Sequence, residues 1–297
     1  MTPHLKQFIT HHSRRVNQLL ERALPARIPG GERLLEAMSY SLLSAGKRVR
    51  PILTYAGAQA VEGDTQAPLL DAAACALECM HAYSLIHDDL PAMDDDDLRR
   101  GEPTCHIAFD EATAILAGDA LQCLAFETLL NSPAPAAHLI AVTRELARAS
   151  GATGMVVGQA IDLGAVDTAP SLELMERMHV HKTGALIEAA VIMGALAVGT
   201  EDPHKIRALR TYAKAVGLSF QVRDDILDVT AETTTLGKRV GADQERNKPT
   251  YVTLLGLEGA IQKAQQFHES ALDALSDFGA SADTLRDLSA YVIQRGA

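Results

Sequence analysis

The sequence predicts an all-α fold, and three observations carry that prediction. Hydrophobic residues fill 47% of the 297 positions, yet aromatics make up only 4% and tryptophan is absent. A chain rich in Ala and Leu and poor in β-favouring aromatics forms helices rather than a sandwich or barrel. Apolar residues also recur at helical spacing over long segments, and short Gly/Pro clusters separate those segments where linkers or repeats would mark several domains. Residues 1–297 therefore read as one helical domain.

Breaks between helices are expected at Pro25–Gly31, Gly63–Pro68, Leu90–Pro103, Asn131–Pro135, Gly164–Pro170, Gly199–Pro203 and Ala231–Pro249. Segment 69–89 carries Leu70, Ala73, Ala74, Leu77, Met80, Leu85 and Ile86, and runs into His87-Asp88-Asp89 before Pro91 stops it. Segment 206–228 has the same character and ends in Asp224-Asp225-Ile226-Leu227-Asp228. The longest apolar run, Ala185 to Gly199, is interrupted by Glu188 and falls short of the ~20 residues a membrane span needs. It is expected to be a buried core helix, and no membrane span is expected.

Lys6, His11, His12, Arg14 and Arg15 interrupt any signal-peptide core near the N-terminus, which points to a cytoplasmic protein. Cys75, Cys79, Cys105 and Cys123 form no CxxC pair and read as reduced structural thiols. The formal charge of −11 argues against nucleic acid or an anionic membrane as partner, since both need a surplus of Lys and Arg on one surface. An anionic ligand would need either a local basic cluster or cations held by carboxylates.

Both occur. The first acidic cluster is Asp88-Asp89-Leu90-Pro91-Ala92-Met93-Asp94, followed by Asp95, Asp96 and Asp97. Pro91 ends the helix, so Asp88 sits in its last turn and Asp94 must return from the loop to face it. Unpaired carboxylates at a helix C-terminus oppose the backbone dipole, and a bound cation reverses that penalty. In the second cluster, Gln221, Asp224 and Asp228 are spaced by three and four residues and share a helix face, with Asp225 beside them. Mg2+ takes one or two carboxylates together with substrate phosphates, so two such clusters could clamp a diphosphate through several ions.

Basic residues recur beside the breaks. Gly46-Lys47-Arg48-Val49-Arg50-Pro51 precedes a helical stretch, with Pro at a first turn leaving backbone donors open to an anion. Arg99-Arg100 follows the first acidic cluster, His181-Lys182-Thr183-Gly184 lies inside a helical segment, and Lys238 and Lys248 flank the 231–249 stretch. The Thr183-Gly184 pair permits a kink that would free a backbone carbonyl at Thr183. His81 lies two helical turns before Asp88 and shares its face.

Six motifs, GKRVRP at 46–51, HDDLPAMDDDDLRRG at 87–101, GQAIDL at 158–163, HKTGAL at 181–186, FQVRDDILD at 220–228 and TLGKRVGAD at 235–243, resemble those of the trans-isoprenyl diphosphate synthases, and among them the bacterial farnesyl diphosphate synthases. The resemblance spans nearly the whole chain and implies the isoprenoid synthase fold, antiparallel helices around a deep cavity, as a single polyprenyl synthase domain that forms a homodimer. It implies that Asp88, Asp89, Asp94, Asp224, Asp225 and Asp228 hold Mg2+, as a three-ion cluster on an allylic diphosphate, with Arg99, Lys182, Lys238 and Lys248 adding direct contacts. Isopentenyl diphosphate would be held by Lys47, Arg50, Arg100 and His81 without metal.

The same resemblance assigns catalysis to Asp88, Asp224, Lys182, Thr183 and Gln221, the last three presenting oxygens to an allylic cation. Product length would be set just before the first aspartate motif, by Tyr83 and Ser84, with the bulky Tyr83 stopping growth at farnesyl. Three other readings share parts of this pattern: a geranyl or geranylgeranyl synthase, a class I terpene cyclase, which would not need Lys47, Arg50 and Arg100, and a non-catalytic subunit that kept the fold. The roles of Gln159 and Asp162, and of Asp95, Asp96 and Asp97, stay open.

Overall fold

The computed structural model describes residues 1–165, 171–230 and 250–294. Several helices begin at side-chain caps or prolines. Thr2 accepts the Leu5 amide at 3.2 Å and Pro3 takes the first turn of α1 (Pro3–Ala23). α2 (Glu32–Leu42) follows, and then α3 (Val49–Ala60), entered through Arg48 in the left-handed conformation at φ 48°. α4 (Pro68–Asp88) starts on a proline and ends three residues before Pro91. A two-residue hairpin, β1 (Leu98–Arg99) paired antiparallel with β2 (Glu102–Pro103), and the single turn α5 (Cys105–Ala108) lead to α6 (Glu111–Leu130). Asp110 caps α6 by accepting the Thr113 amide at 2.7 Å.

α7 (Ala136–Ser150), α8 (Met155–Gly164) and α9 (Leu172–His179) come next. α9 continues through a π-helical turn, Val180–Gly184, into α10 (Ala185–Ala197). α11 (Pro203–Thr230) is the longest element, and α12 (Tyr251–Ala274) and α13 (Asp283–Gln294) close the described chain. A Thr250/Thr253 capping box opens α12, and Gly256 at φ 72° kinks it.

α10 is buried on nearly every side, from Leu186 to Ala197, so it has no solvent face and forms the centre around which α3, α4, α7 and α11 pack. α3 and α10 cross at backbone contact. A Cβ on Gly57 would lie 2.3 Å from the Val191 carbonyl oxygen, and one on Gly194 would lie 2.0 Å from that of Thr54. One apolar core extends from Leu5 to Val292, and a smaller cluster joins Met175, Met178, Val222, Ile226 and Tyr251.

Two charge clusters lock this frame. Glu145 of α7 accepts from Arg210 of α11 at 2.9 and 2.7 Å and from Arg148 at 2.7 Å, while Glu188 of α10 accepts from Arg148 at 3.0 Å and Arg210 at 2.5 Å. Glu188, the one acid in the apolar run, thus has two arginine partners. The second cluster is the Arg48–Glu78 pair, 2.8 Å apart with both side chains about 5% exposed, which fastens the entry of α3 to the middle of α4. Arg48 also donates to Asn17 at 2.8 Å and to the Ser44 carbonyl at 3.1 Å.

The expected helices 69–89, 206–228 and 185–199 correspond to α4, α11 and α10. The turn at Gly151–Gly154, which gives the GQAIDL motif its own helix, was not expected, and neither was the hairpin at Leu98–Pro103. The expectation that the longest apolar run falls short of membrane-spanning length is corrected. Pro68–Asp88, Glu111–Leu130 and the continuous run Leu172–Ala197 are long and apolar enough to cross a bilayer. Continuity of α9 through the π-turn created the third, and packing buries most of the first and third inside the chain but less than half of Glu111–Leu130.

Replacing Glu78 by Leu strands the buried Arg48 guanidinium without its counter-charge. Unfolding in urea is expected to show a loss of about 3–5 kcal/mol.

Candidate functional site

A cavity of about 340 Å3 opens between α4, α8 and the π-turn. α4 contributes His81, Tyr83, Ser84 and Asp88; α8 contributes Met155, Val156, Gln159, Ala160 and Leu163; Lys182 and Thr183 come from the π-turn, Arg50 from α3 and Met93 from the loop after α4. One end is therefore ionic, around Asp88 and Lys182, while the α8 wall is apolar except for Gln159.

The ionic end is built by close backbone approach. A Cβ on Gly158 would fall 2.0 Å from the Lys182 amide nitrogen, so only glycine lets α8 lie against the π-turn. That turn displaces the helical ladder at the kink expected at Thr183-Gly184. The Lys182 ammonium then lies 2.5 Å from Asp162 Oδ2 and 3.8 Å from Asp94 Oδ2.

Asp94 does fold back onto α4, its amide donating to the Asp88 carbonyl at 2.8 Å. Burial pushes the Asp88 carboxyl up to about 6, against the pull of Lys182 and with the push of Asp94. Desolvation disfavours the ionised carboxylate, and a positive charge placed beside it restores that form. Asp89 faces a different way. It is 3% exposed and both its oxygens accept from the Arg99 guanidinium, with Nε at 2.8 Å and Nη2 closer still. Burial raises the Asp89 carboxyl and Arg99 opposes the rise.

Arginines surround His81. Burial drives its ring well below the usual histidine range, and Arg50, Arg100, Arg99 and Arg48 push it further, which favours the neutral imidazole. Burial also lowers Arg50 to about 10, and its Nε is buried with no hydrogen-bond partner in the described structure. Arg100 donates to the Ala45 carbonyl at 2.7 Å, drawing the loop after α4 onto the GKRVRP turn. The structure does not place Lys47 on this cavity. Lys47 is exposed and borders a second, mostly apolar cavity of about 250 Å3 with Val49, Ile52 and Phe220.

The second acidic cluster rides on the face of α11 that meets the π-turn. Gly217 sits against Gly184, a Cβ there lying 3.2 Å from the Gly184 Cα, and Gln221, Asp224 and Asp228 follow from Gly217 at helical spacing. Asp225 differs from its neighbours. It is buried, and its Oδ2 accepts the Tyr251 amide at 2.7 Å, capping the N-terminus of α12. Asp89 and Asp225, expected as metal ligands, thus each also serve a protein partner, Arg99 and the start of α12. Among the described residues, no three His, Cys, Asp or Glu side chains converge to hold a metal unaided. Lys238 and Lys248 lie outside the described residues.

Gly158 and the Arg48–Glu78 pair were not anticipated in these roles, and the role of Asp162, left open by the sequence, is to hold the Lys182 ammonium. A glycine between Val157 and Gln159 and a single aspartate on an apolar helix give no hint of a partner twenty or more residues away.

The polyprenyl synthetase family model matches residues 31–285. The chain is 50% identical to the farnesyl diphosphate synthase of Escherichia coli K12, over 95% of this chain and 96% of that one. It is 43% identical to a chloroplastic geranylgeranyl pyrophosphate synthase of Capsicum annuum, over 98% of this chain and 78% of the relative. A crystal structure of a Helicobacter pylori geranyltransferase complexed with magnesium and isoprenyl diphosphate superposes at TM-score 0.86 and 34% identity, covering 99% of this chain and 97% of that one.

Gly158→Ala should displace the π-turn while leaving the core intact. The expected result is a turnover loss of roughly 10²-fold, measured by steady-state kinetics, with the thermal midpoint little changed.

Proposed function

This chain belongs to the polyprenyl synthetase family and is a chain-elongating prenyltransferase, and we propose that it condenses isopentenyl diphosphate with dimethylallyl and then geranyl diphosphate, head to tail, to give (2E,6E)-farnesyl diphosphate. The observation that carries the reading is the polarity of the cavity. Asp88, Lys182 and Thr183 stand at its ionic end, the arginine-ringed His81 beside them, and Tyr83 and Ser84 lie on its wall. An allylic diphosphate fits with its head at Asp88 and its chain along α8.

Mg2+ bound at Asp88, Asp94 and Asp224 would neutralise the departing diphosphate. The donor set suits it, because the loop after α4 folds Asp94 back onto Asp88, and hard carboxylate oxygens of this kind are ones Mg2+ takes together with phosphate oxygens. A three-ion arrangement and the Mg2+ requirement are part of the proposal, as is the participation of Asp228. Lys182 adds a fixed positive charge at the leaving group, positioned by Asp162. Thr183 and Gln221 present oxygens toward the positive charge that develops on the allylic carbons. Arg50 and Arg100, with His81 neutral between them, hold the second diphosphate, and the unpartnered Arg50 Nε gains an acceptor when it binds. Lys238 and Lys248 are proposed as further diphosphate contacts on the motif resemblance alone, and Lys47, which borders the second cavity, as a contact for the isopentenyl diphosphate.

Tyr83 supports farnesyl over the geranylgeranyl product named for the Capsicum relative. Its ring lines the cavity and is braced edge-on by His87, with centroids 4.9 Å apart, which favours a fixed stop to chain growth. We read residues 1–297 as one catalytic domain, in keeping with a core that runs from Leu5 to Val292. A homodimer is supported by the apolar flank of α6, where Ile115 and Leu116 are 44% and 56% exposed. A cytoplasmic location is in keeping with four free cysteines, three of them buried.

Incubation with labelled isopentenyl diphosphate and geranyl diphosphate should give farnesyl diphosphate with Mg2+ and nothing after chelation. Absence of condensation under any divalent metal would refute the proposed activity. Tyr83→Ala is expected to move the main product to twenty carbons by chromatography, and an unchanged product would remove Tyr83 from length control.

A further inference from the structure

Gln159 is the feature of the cavity that the reaction above does not use. Its side chain is 8% exposed, it lines the cavity, and neither its amide nitrogen nor its carbonyl oxygen has a hydrogen-bond partner among the described residues. Buried amides almost always have partners, and a doubly orphaned one on an apolar wall destabilises the empty protein. Its other neighbours on that wall of α8, Met155, Val156, Ala160 and Leu163, are apolar and suit a prenyl chain. Gln159 lies one helical turn before Asp162, which holds the Lys182 ammonium, and next to Gly158, on which the Lys182 backbone rests. It therefore stands where the ionic end of the cavity meets the apolar wall, beside the place where a carbon–oxygen bond at the head of a prenyl chain would break.

We propose that Gln159 is a catalytic residue whose carbonyl oxygen faces the allylic carbons and stabilises the positive charge that forms there. The inference rests on the prenyl-transfer reading given above. The C1–O bond of the allylic diphosphate breaks and its electron pair leaves with the diphosphate oxygen, placing the charge over C1 and C3. The alkene electrons of isopentenyl diphosphate then form the new carbon–carbon bond to C1, and the proton lost from the adjoining carbon passes to a diphosphate oxygen. Gln159 makes no bond in either step. Its dipole is fixed by burial and acts only while the charge exists, so it lowers the barrier without tightening the ground-state complex.

The test compares wild type with Gln159→Leu and Gln159→Met in three measurements: kcat with geranyl diphosphate, the Kd of the unreactive geranyl thiolodiphosphate, and the ratio of rates with geranyl and 2-fluorogeranyl diphosphate. Both variants are expected to lose about 10- to 100-fold in kcat, keep the Kd within about twofold, and melt no lower than wild type because an orphaned amide has been replaced by an apolar group. The fluorine penalty should grow by about threefold or more, since a less stabilised cation feels electron withdrawal more strongly. A kcat within about threefold of wild type in both variants overturns the proposal, as does a kcat loss that follows lost binding or melting with an unchanged fluorine penalty. Failure of both variants to fold assigns Gln159 a structural role and has the same consequence. An inactive wild type would instead refute the prenyl-transfer reading itself.

Discussion

The contact between Gly158 and the backbone of Lys182 is the constraint on which the ionic end depends. A helix that met the π-turn through a side chain would stand several ångströms away, and the Lys182 ammonium would lose Asp162. Because it does not, one lysine is shared between a carboxylate of α8 and one of the loop after α4, and a local departure from α-helical geometry becomes the junction of three elements. π-turns inside helices are costly to form, and this one survives because packing on both sides specifies it.

Charge is treated differently at the frame and at the site. In the frame, the buried carboxylates of Glu78 and Glu145 each meet an arginine at hydrogen-bonding distance. At the site, Asp88 carries a raised pKa and Arg50 a lowered one, each only partly compensated by neighbours. Such groups are destabilising in the resting protein and gain their missing partners from a bound ligand.

Much of this was legible in the sequence. The helix ending in Asp88, the second acidic face from Gln221 to Asp228, and the kink at Thr183-Gly184 all follow from local spacing and from Pro and Gly chemistry. What escaped was set by distant partners. Asp89 and Asp225 look like their neighbours in sequence, yet one is taken by Arg99 and the other by the start of α12. Arg48 reads as one cation among three, and only the position of Glu78, thirty residues on, shows that it belongs to the frame. Lys47 shares a motif with Arg50 but lines a different cavity.

The crossing of α3 and α10 has a consequence for how the chain comes into being. Gly57 meets Val191 and Gly194 meets Thr54, partners almost half the chain apart. During synthesis α3 and α4 leave the ribosome well before α10 exists, and their apolar surfaces stay open through that interval. The first half of the chain is thus the part exposed to premature association, and the molecule closes only when its central helix arrives.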